Sequence, residues 1–296
     1  MRPALARTRL DLDSALAAHR ALRSRVALVP TMGALHAGHE ALLRRAHEEA
    51  PVVVASLFVN PTQFGPDEDL DRYPRPLEAD VALMADLGVD VVFLPEVGEV
   101  YPEGPGAGTT VDPGELGTVL EGAARPTHFR GVLTVVAKLL GMVRPDVAVL
   151  GEKDYQQLVL VRRLVRDLAL PVRVVGEPIV REHDGLALSS RNAYLDDRQR
   201  RAALVLSEAL AAGQRSAHAG ADAALDAATR RLASAADVEV DYVAVTDPEL
   251  GPAPDAGAAR LLVAGRIGGT RLLDNVGLQL GAPVREPAVS STGQEG

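Results

Sequence analysis

Short apolar runs rich in β-branched residues alternate with amphipathic stretches through the first 180 residues. The runs are apolar on both faces, which is typical of strands in a parallel sheet covered on both sides. They span residues 26–29, 52–59, 89–94, 147–150 and 172–175. The stretches between them have helical periodicity and span residues 40–49, 77–87, 131–143 and 155–168. This alternation predicts right-handed βαβ units and an α/β fold with a Rossmann-like, doubly wound parallel sheet.

The pattern changes after about residue 179. Two Ala-rich amphipathic stretches, 196–214 and 221–235, predict helices, and residues 238–245, 260–264 and 270–274 predict strands. We therefore expect a larger domain over residues 1–179 and a smaller C-terminal α+β domain over residues 180–296. The polar tail from about residue 285 is expected to be disordered.

Composition narrows the class of protein. Lys and Arg number 31 against 40 Asp and Glu, and the net charge of −9 disfavours a generic nucleic-acid-binding protein. Cysteine is absent, which excludes disulfides and Cys-based metal sites and fits a reducing cytosol. No apolar run approaches the ~18 residues of a transmembrane helix, and Asp11 and Asp13 interrupt the N-terminal segment that a secretory signal would need.

The most specific motif follows the first predicted strand. His36 and His39, in the run MGALHAGH, stand where the next helix begins. Free backbone amides and the helix dipole at such a position favour an anion, and Gly33 and Gly38 let a backbone approach phosphates closely. Zinc would need a third protein ligand, and none is spaced nearby. The motif therefore favours a nucleotide triphosphate. Alternatively, the two histidines have a structural role only: they cap the helix and pack against it.

Three further segments carry candidate ligand-binding side chains. Gln63 lies in a turn-rich loop after the second predicted strand, where it can hydrogen-bond a carboxylate or a hydroxyl, or point into solvent. Lys153 follows the strand at 147–150, where it can neutralise a phosphate or be a solvated surface lysine. Ser189, Ser190 and Arg191 can form a phosphate grip, or a serine cap before the next helix with the arginine on the surface.

Ligands bind at the carboxyl ends of strands in open α/β sheets. Together the four segments predict one cleft for ATP and a small anionic acid, in an adenylating or nucleotidyl-transferring enzyme. The residues themselves do not identify the acid.

Five segments in the same order resemble the motifs of the pantothenate synthetase (pantoate–β-alanine ligase) family. They are PTMGALHAGH, SLFVNPTQFGPDEDLDRYPR, RPTHFRGVLTVV, GEKDYQQL and REHDGLALSSRN. The first is similar to the histidine signature of nucleotidyltransferases and class I aminoacyl-tRNA synthetases. The resemblance implies that ATP and (R)-pantoate give pantoyl adenylate and pyrophosphate, with Mg²⁺ accompanying ATP. β-Alanine then attacks the adenylate to give pantothenate and AMP.

The resemblance also assigns roles to individual positions. His39 matches the family's proton donor, His36 would assist at the phosphates, and Lys153 would stabilise the transition state at the α-phosphate. Gln63 and Gln157 would hold pantoate, and Gln63 would also meet β-alanine. The residues expected to contact ATP are Met32, Gly33, Ala34, Leu35, His36, Ala37, Gly38, His39, Gly151, Glu152, Lys153, Asp154, Val180, Leu188, Ser189, Ser190 and Arg191.

Attack of a carboxylate on phosphorus needs charge stabilisation more than proton transfer. We therefore hypothesise that both histidines act mainly as hydrogen-bond donors. Three positions depart from the family pattern: Leu188 replaces a usual Met, and Val149 and Leu150 stand where larger aromatic residues are common. The first change preserves volume and apolarity, so we expect ATP binding to survive it. The resemblance further implies a cytoplasmic homodimer without nucleic-acid or membrane partners.

Two other functions fit the residues. Another adenylyl- or cytidylyltransferase would move a nucleotide onto a phosphate ester, and its product would not depend on β-alanine. A non-catalytic ATP-binding module would bind nucleotide without releasing pyrophosphate. The acidic balance and the lack of a recognisable anticodon-binding domain disfavour an aminoacyl-tRNA synthetase.

Overall fold

The computed structural model describes residues 2–66, 68 and 70–281. Six parallel strands form its main sheet in the order β1-β4-β3-β2-β5-β6. They are β1 (Ala4–Ala6), β2 (Val26–Thr31), β3 (Val52–Leu57), β4 (Val91–Phe93), β5 (Val147–Gly151) and β6 (Arg173–Glu177). Ala27 of β2 pairs with Val53 of β3 on one side and with Val147 of β5 on the other, so β2 lies inside the sheet.

Helices cover both faces of this sheet. In the part of the chain before β6 they are α1 (Arg9–Ala21), α2 (Ala37–Glu49), α3 (Leu77–Asp86), α4 (Val97–Val100), α5 (Glu121–Ala124), α6 (His128–Val143) and α7 (Tyr155–Asp167). Leu28 of β2 lies in the core that contains α1, α6 and α7 residues. Its neighbours Ala27 and Val29 lie in the core that contains α2 and α3 residues. The two separate cores explain why β2, β3 and β5 have apolar residues on both faces.

A smaller α+β unit follows. It contains α8 (Asp197–Ser216), α9 (Ala221–Ala233) and an antiparallel sheet of β7 (Val238–Thr246), β8 (Gly257–Ile267) and β9 (Thr270–Leu280). Leu261 and Val263 of β8 pack in a core with α8 and α9 residues. Leu262, on the opposite face, joins the α6–α7 core of the larger sheet. The small sheet is therefore buried between its own helices and the larger sheet.

The predicted fold class is confirmed, and the predicted strands and helices are present. The prediction missed β1, which has only three residues, and α1, whose apolar pattern is interrupted by Asp11 and Asp13. It also made β8 and β9 too short, because pairing along the hairpin carries β8 through Gly265 and Arg266 and carries β9 through Asn275 and Gly277. The domain boundary at residue 180 stays a prediction, and the expected disordered tail lies outside the described residues.

α6 approaches the loop after β3 so closely that only glycine fits at one position. A Cβ on Gly131 would lie 2.2 Å from the backbone carbonyl oxygen of Thr62 and 2.7 Å from the backbone nitrogen of Gln63. Both neighbours are backbone atoms, so no side chain can move aside to make room. The absent side chain therefore fixes the distance between α6 and the loop that carries Gln63.

Replacing Gly131 with Ala should destabilise the protein by about 1–3 kcal/mol, because the loop or the helix must shift to admit the methyl group. Gly141 lies on the same helix with nothing within 4 Å of its added Cβ, so Gly141→Ala is the matched control. It should be neutral or stabilise the helix by up to about 1 kcal/mol. Urea unfolding measures both. Equal effects of the two substitutions would contradict the close approach.

Candidate active site

The strand order of the main sheet reverses beside β2, where β3 lies on one side and β5 on the other. Open α/β sheets bind ligands at the carboxyl ends of the strands at such a point. A cleft of about 240 Å³ lies there, lined by residues after β2, β3, β5 and β6. The sequence thus predicted the edge of the sheet at which the cleft is found.

Most of the predicted site residues line this cleft. They are Met32, His36, Gly38, His39, Gln63, Gly151, Lys153, Asp154, Gln157, Val180, Leu188, Ser189, Ser190 and Arg191. The predicted residues outside its lining are Gly33, Ala34, Leu35, Ala37 and Glu152. The four predicted segments therefore converge, although not every residue within them faces the cleft.

Asp80 explains why part of the first segment faces away. This buried residue of α3, 4% exposed, accepts hydrogen bonds from the amides of Ala34 at 2.9 Å and Leu35 at 2.8 Å. The amides that we expected to contact ATP hold the turn instead. Gly33 has a φ of +89° and a Cβ there would lie 2.9 Å from the Asp80 carboxylate, so the turn requires glycine. No local pattern indicates this role of Asp80, because its partners lie 45 and 46 residues away in the chain.

The two histidines are oriented by backbone amides at the start of α2. Nδ1 of His36 accepts from the amide of Gly38 at 3.1 Å, and Nδ1 of His39 accepts from the amide of His36 at 3.3 Å. An accepting Nδ1 carries no proton, so a neutral imidazole in this arrangement carries its proton on Nε2. The ring centroids are 4.2 Å apart. The histidines do cap the helix, as the structural alternative proposed, and they also line the cleft.

Both imidazoles have a reduced affinity for a second proton. Burial, reinforced by the neighbouring His36 and by Lys153, lowers the pKa of His39 to about 3. Burial and the Lys153 charge also lower the pKa of His36. At neutral pH the pair therefore consists of uncharged imidazoles, each with an Nε2–H that can donate a hydrogen bond.

Lys153 lies in a helical turn at residues 152–154 that joins β5 to α7. Its side chain is 23% exposed, with Nζ 3.5 Å from the Asp154 carboxylate, so it is not a fully solvated surface lysine. Partial burial of Asp154 opposes its ionisation, but the charges of Lys153 and Arg191 outweigh this and hold its pKa below the usual range. Lys153 and Arg191 thus supply positive charge at the cleft of an acidic protein.

Gln63 is oriented by Asn60, a residue to which the sequence analysis gave no role. Asn60 is 1% exposed, and its Nδ2 donates to Oε1 of Gln63 at 3.0 Å. The Tyr101 hydroxyl donates to the Asn60 Oδ1 at 2.8 Å, which fixes the orientation of the Asn60 amide. Because Oε1 of Gln63 is occupied, its NH₂ group is the donor available to a ligand. In this structure, Nε2 of Gln63 lies 3.0 Å from the sulfur of Met32.

His128 and Arg125 brace the same loop from its backbone. The carbonyl oxygen of Gln63 accepts from Nδ1 of His128 at 2.9 Å and from Arg125 at 3.3 Å. Arg125 also donates to Nε2 of His128 at 3.1 Å and to the Glu68 carboxylate at 2.7 Å. Burial and the Arg125 charge lower the pKa of His128 to about 4. His128 is therefore an uncharged support for Gln63, which its place in the sequence did not show.

The serine segment forms its own turn rather than a cap of α8. Oγ of Ser189 accepts from the amide of Arg191 at 3.3 Å, within a turn at residues 190–194. α8 is capped by Asp196, which accepts from the amide of Gln199 at 2.8 Å. Ser189 therefore does cap a helical turn, as the structural alternative holds, although that turn is the short one at residues 190–194 and not α8.

Neither a metal-binding cluster nor a membrane-spanning helix occurs among the described residues. Within residues 2–66, 68 and 70–281, no three His, Asp or Glu side chains are grouped so that they could hold a metal ion. None of the helices in these ranges combines the length and the apolarity that a membrane crossing requires.

Comparisons with known sequences agree over nearly the whole chain. A profile of the family described as pantoate-beta-alanine ligase matches residues 4–277. A pantothenate synthetase of Nocardioides sp. is 58% identical over 297 residues, which cover 97% of this chain and 88% of that protein. A pantothenate synthetase of Mycobacterium sp. is 59% identical over 267 residues, which cover 89% of this chain and 85% of that protein.

Solved structures agree with these relatives. The pantothenate synthetase of Thermus thermophilus is 51% identical with a TM-score of 0.86, covering 93% of this chain and 99% of that one. A Francisella tularensis pantoate-beta-alanine ligase, complexed with beta-gamma ATP and beta-alanine, is 34% identical with a TM-score of 0.76 and covers 93% and 97%. The fold class and ligase function predicted from the sequence are thereby confirmed, and the chain belongs to the pantoate–β-alanine ligase family.

Proposed function

We propose that the cleft binds ATP and pantoate together and that the pantoate carboxylate attacks the α-phosphorus of ATP. A carboxylate oxygen–phosphorus bond forms, the bond to pyrophosphate breaks, and pantoyl adenylate remains. The amine of β-alanine then attacks the acyl carbon, a C–N bond forms, and AMP leaves. The observation that carries this proposal is the convergence of the His36–His39 turn, Lys153 and Arg191 on one cleft.

His36 and His39 act in this proposal as uncharged Nε2–H donors to phosphate oxygens. A protonated His39 would present an Nδ1–H to the amide of His36, which would break the hydrogen bond that orients the ring. A pKa of about 3 also makes His39 a poor store for a proton at neutral pH. Fixed donors aimed at developing charge need no reorganisation during the reaction, so they favour the transition state.

Lys153 and Arg191 supply the positive charge that the imidazoles lack. The ammonium of Lys153 neutralises charge at the α-phosphate, and Arg191, with Ser189 and Ser190, holds the outer phosphates. Val180, which lines the end of the cleft after β6, contacts the adenine side. The cleft thus carries local positive charge, although the whole chain carries a net charge of −9.

The acid-binding end of the cleft combines amides with an apolar wall. Gln63 and Gln157 donate to the hydroxyl and carboxylate oxygens of pantoate, and Gln63 also meets β-alanine. Val132, Val135 and Val136 of α6 line the same cleft and would pack against the two methyl groups of pantoate. The Francisella complex contains beta-gamma ATP and beta-alanine, which supports ATP and β-alanine as substrates here.

Mg²⁺ enters with ATP in this proposal. It prefers oxygen ligands, keeps several waters, and is commonly held by one or two carboxylates together with substrate phosphates. Asp154 fits that role, because it is an ionised carboxylate at the cleft beside the proposed phosphate contacts.

The oligomeric state and the location of the enzyme are proposed from its family and composition. We propose a homodimer that acts in the cytoplasm, and the absence of cysteine fits that reducing compartment. Sedimentation velocity of the purified enzyme gives its mass directly. A single species of 31.1 kDa at micromolar concentration would contradict the dimer.

A two-stage assay tests the function. ATP and pantoate without β-alanine should release pyrophosphate in an amount close to that of the enzyme, because pantoyl adenylate stays bound. Added β-alanine should then give AMP and pantothenate over many turnovers. Pyrophosphate release without any β-alanine-dependent amide would favour a different nucleotidyltransferase, and nucleotide binding without pyrophosphate release would favour a non-catalytic module.

Substitutions at His39 test whether the imidazole acts as a donor. His39→Ala should slow single-turnover pyrophosphate release by about 10²–10³-fold, the usual effect of losing one transition-state donor. His39→Gln places an NH₂ group near the position of Nε2 and should retain at least about ten times the activity of the alanine variant. His39→Asn, whose amide reaches only the Nδ1 position, is the matched control and should resemble alanine. Equal losses in all three variants would contradict the donor role.

The uncharged histidines also predict how stability depends on pH. His39 and His128, with pKa values lowered to about 3 and about 4, stay uncharged in the folded protein when the unfolded chain begins to take up protons. Their contribution to the free energy of unfolding should therefore fall as pH drops below about 6.5. Urea unfolding at pH 7.5 and pH 5.0 measures this loss, which should be smaller in His39→Gln.

Gly141→Ala, which removes no histidine and has open space for its Cβ, provides the control for that measurement. It should show the same loss of stability between the two pH values as the unsubstituted protein. If His39→Gln also shows the full loss, His39 does not stay uncharged in the folded protein.

A further inference from the structure

The turn that carries Lys153 is held by a residue of the small sheet. Asn275 of β9 is 2% exposed, and its Nδ2 donates to the carbonyl oxygens of Glu152 and Lys153, both at 2.9 Å. These two carbonyls belong to the peptide units immediately before and after the Cα of Lys153. One side-chain amide therefore restrains both peptide planes that set the backbone direction of this lysine.

Asn275 is itself held in one orientation. Its Oδ1 accepts from Nε of Arg260 at 2.7 Å, so both donor hydrogens and the acceptor of the amide are engaged. Arg260 also donates to the Glu152 carboxylate at 3.0 Å, and its guanidinium lies 3.9 Å from the centre of the Tyr155 ring. The amide of Asn275 therefore cannot flip without leaving buried polar groups unpaired.

The position of the Lys153 backbone matters because its side chain is long and flexible. The flexible four-carbon chain lets the ammonium sample many positions, whereas the planar guanidinium of an arginine is preorganised. The turn at residues 152–154 has only three residues, so restraints from outside it fix the point from which the side chain extends. A misplacement of about 1 Å at a reacting centre can cost about 10²-fold in rate.

The neighbouring residue of β9 holds a second segment of the cleft. Asp274, 3% exposed, accepts two hydrogen bonds from Arg181, at 2.6 Å and 3.0 Å. Arg181 begins the hairpin that leads into residues 188–191, through its bridge to Ala187. Asn275 thus contacts the turn that carries Lys153, and Asp274 contacts the start of the segment that carries Arg191.

We propose that Asn275 is a positioning residue for Lys153, acting from the small sheet on a reaction that takes place at the edge of the large one. The inference rests on the role proposed for Lys153 in pantoate adenylation. Asn275 contacts no substrate in this proposal. It holds the backbone on both sides of the lysine, so that fewer conformations separate the ammonium from its position at the phosphate.

A double-mutant cycle tests this directly. The variants are Asn275→Ala, Lys153→Met and the two combined, with single-turnover pyrophosphate release from ATP and pantoate as the readout. Gln214→Ala is the matched control, because it removes a carboxamide that donates to the carbonyl oxygen of Gly277 on the same strand, away from the cleft. If Asn275→Ala melts below the assay temperature, Asn275→Leu, which keeps the shape of the side chain, replaces it.

Asn275→Ala should slow pyrophosphate release by about 10–100-fold while changing the KM for ATP by less than about three-fold. In the Lys153→Met background it should cost less than about two-fold more, because the group it positions is gone. Gln214→Ala should leave the rate unchanged in either background. A structural role without positioning would instead lower the rate by the same factor whether or not Lys153 is present.

Amide hydrogen exchange supplies a readout that does not depend on activity. Exchange at residues 153–156 should become faster in Asn275→Ala, while the start of α2 keeps its protection. The proposal is overturned if the Asn275 and Lys153 losses multiply, if Asn275→Ala keeps the full rate, or if exchange at 153–156 is unchanged. Failure of the proposed function would look different: the unsubstituted enzyme itself would release no pyrophosphate with pantoate, whatever the exchange shows.

Discussion

The parallel pairing of β2 with β5 is the constraint on which the site depends. These strands are far apart in the chain but adjacent in the sheet, where Ala27 pairs with Val147 and Leu28 with Ala148, so the turns that follow them lie at the same edge of the sheet. One turn presents His36 and His39, and the other presents Lys153. β3 lies on one side of β2 and β5 on the other, so the connections after β2 and β5 run in opposite directions along the sheet. No crossing helix fills the cleft between them.

The sequence predicted what depends on local pattern. Apolar runs located the strands, and the spacing of His36, His39 and Lys153 after those runs indicated their shared edge. It could not predict contacts between distant segments. Asp80 accepts from the amides of Ala34 and Leu35, two residues that we expected to contact ATP. Asn275, which holds the Lys153 turn, lies just beyond the strand predicted at residues 270–274. Local sequence shows where free amides and flexible side chains occur, whereas the tertiary fold decides which of them are already occupied.

In this site, positive charge and oriented hydrogen-bond donors come from different residues. Lys153 and Arg191 contribute positive charge, whereas the two imidazoles, uncharged because of their burial, contribute donors fixed by backbone hydrogen bonds. The apolar departures from the family pattern fall outside this polar machinery. Leu188 and Leu150 line the cleft with aliphatic carbon, and Val149 lies in the buried core. None of them replaces a group that the chemistry requires, so the loss of larger side chains there leaves the donors in place.

If both turns contact the same phosphate, a crystal structure with a bound intermediate analogue will show it. A sulfamoyl analogue of pantoyl adenylate carries two sulfonyl oxygens where the adenylate has phosphate oxygens. We expect one of those oxygens within hydrogen-bonding distance of Nε2 of His39 and another within reach of Nζ of Lys153, with Nδ1 of His39 still accepting from the backbone. A complex in which the sulfonyl group contacts only one of the two turns, or in which the His39 ring has left its backbone amide, would contradict the account.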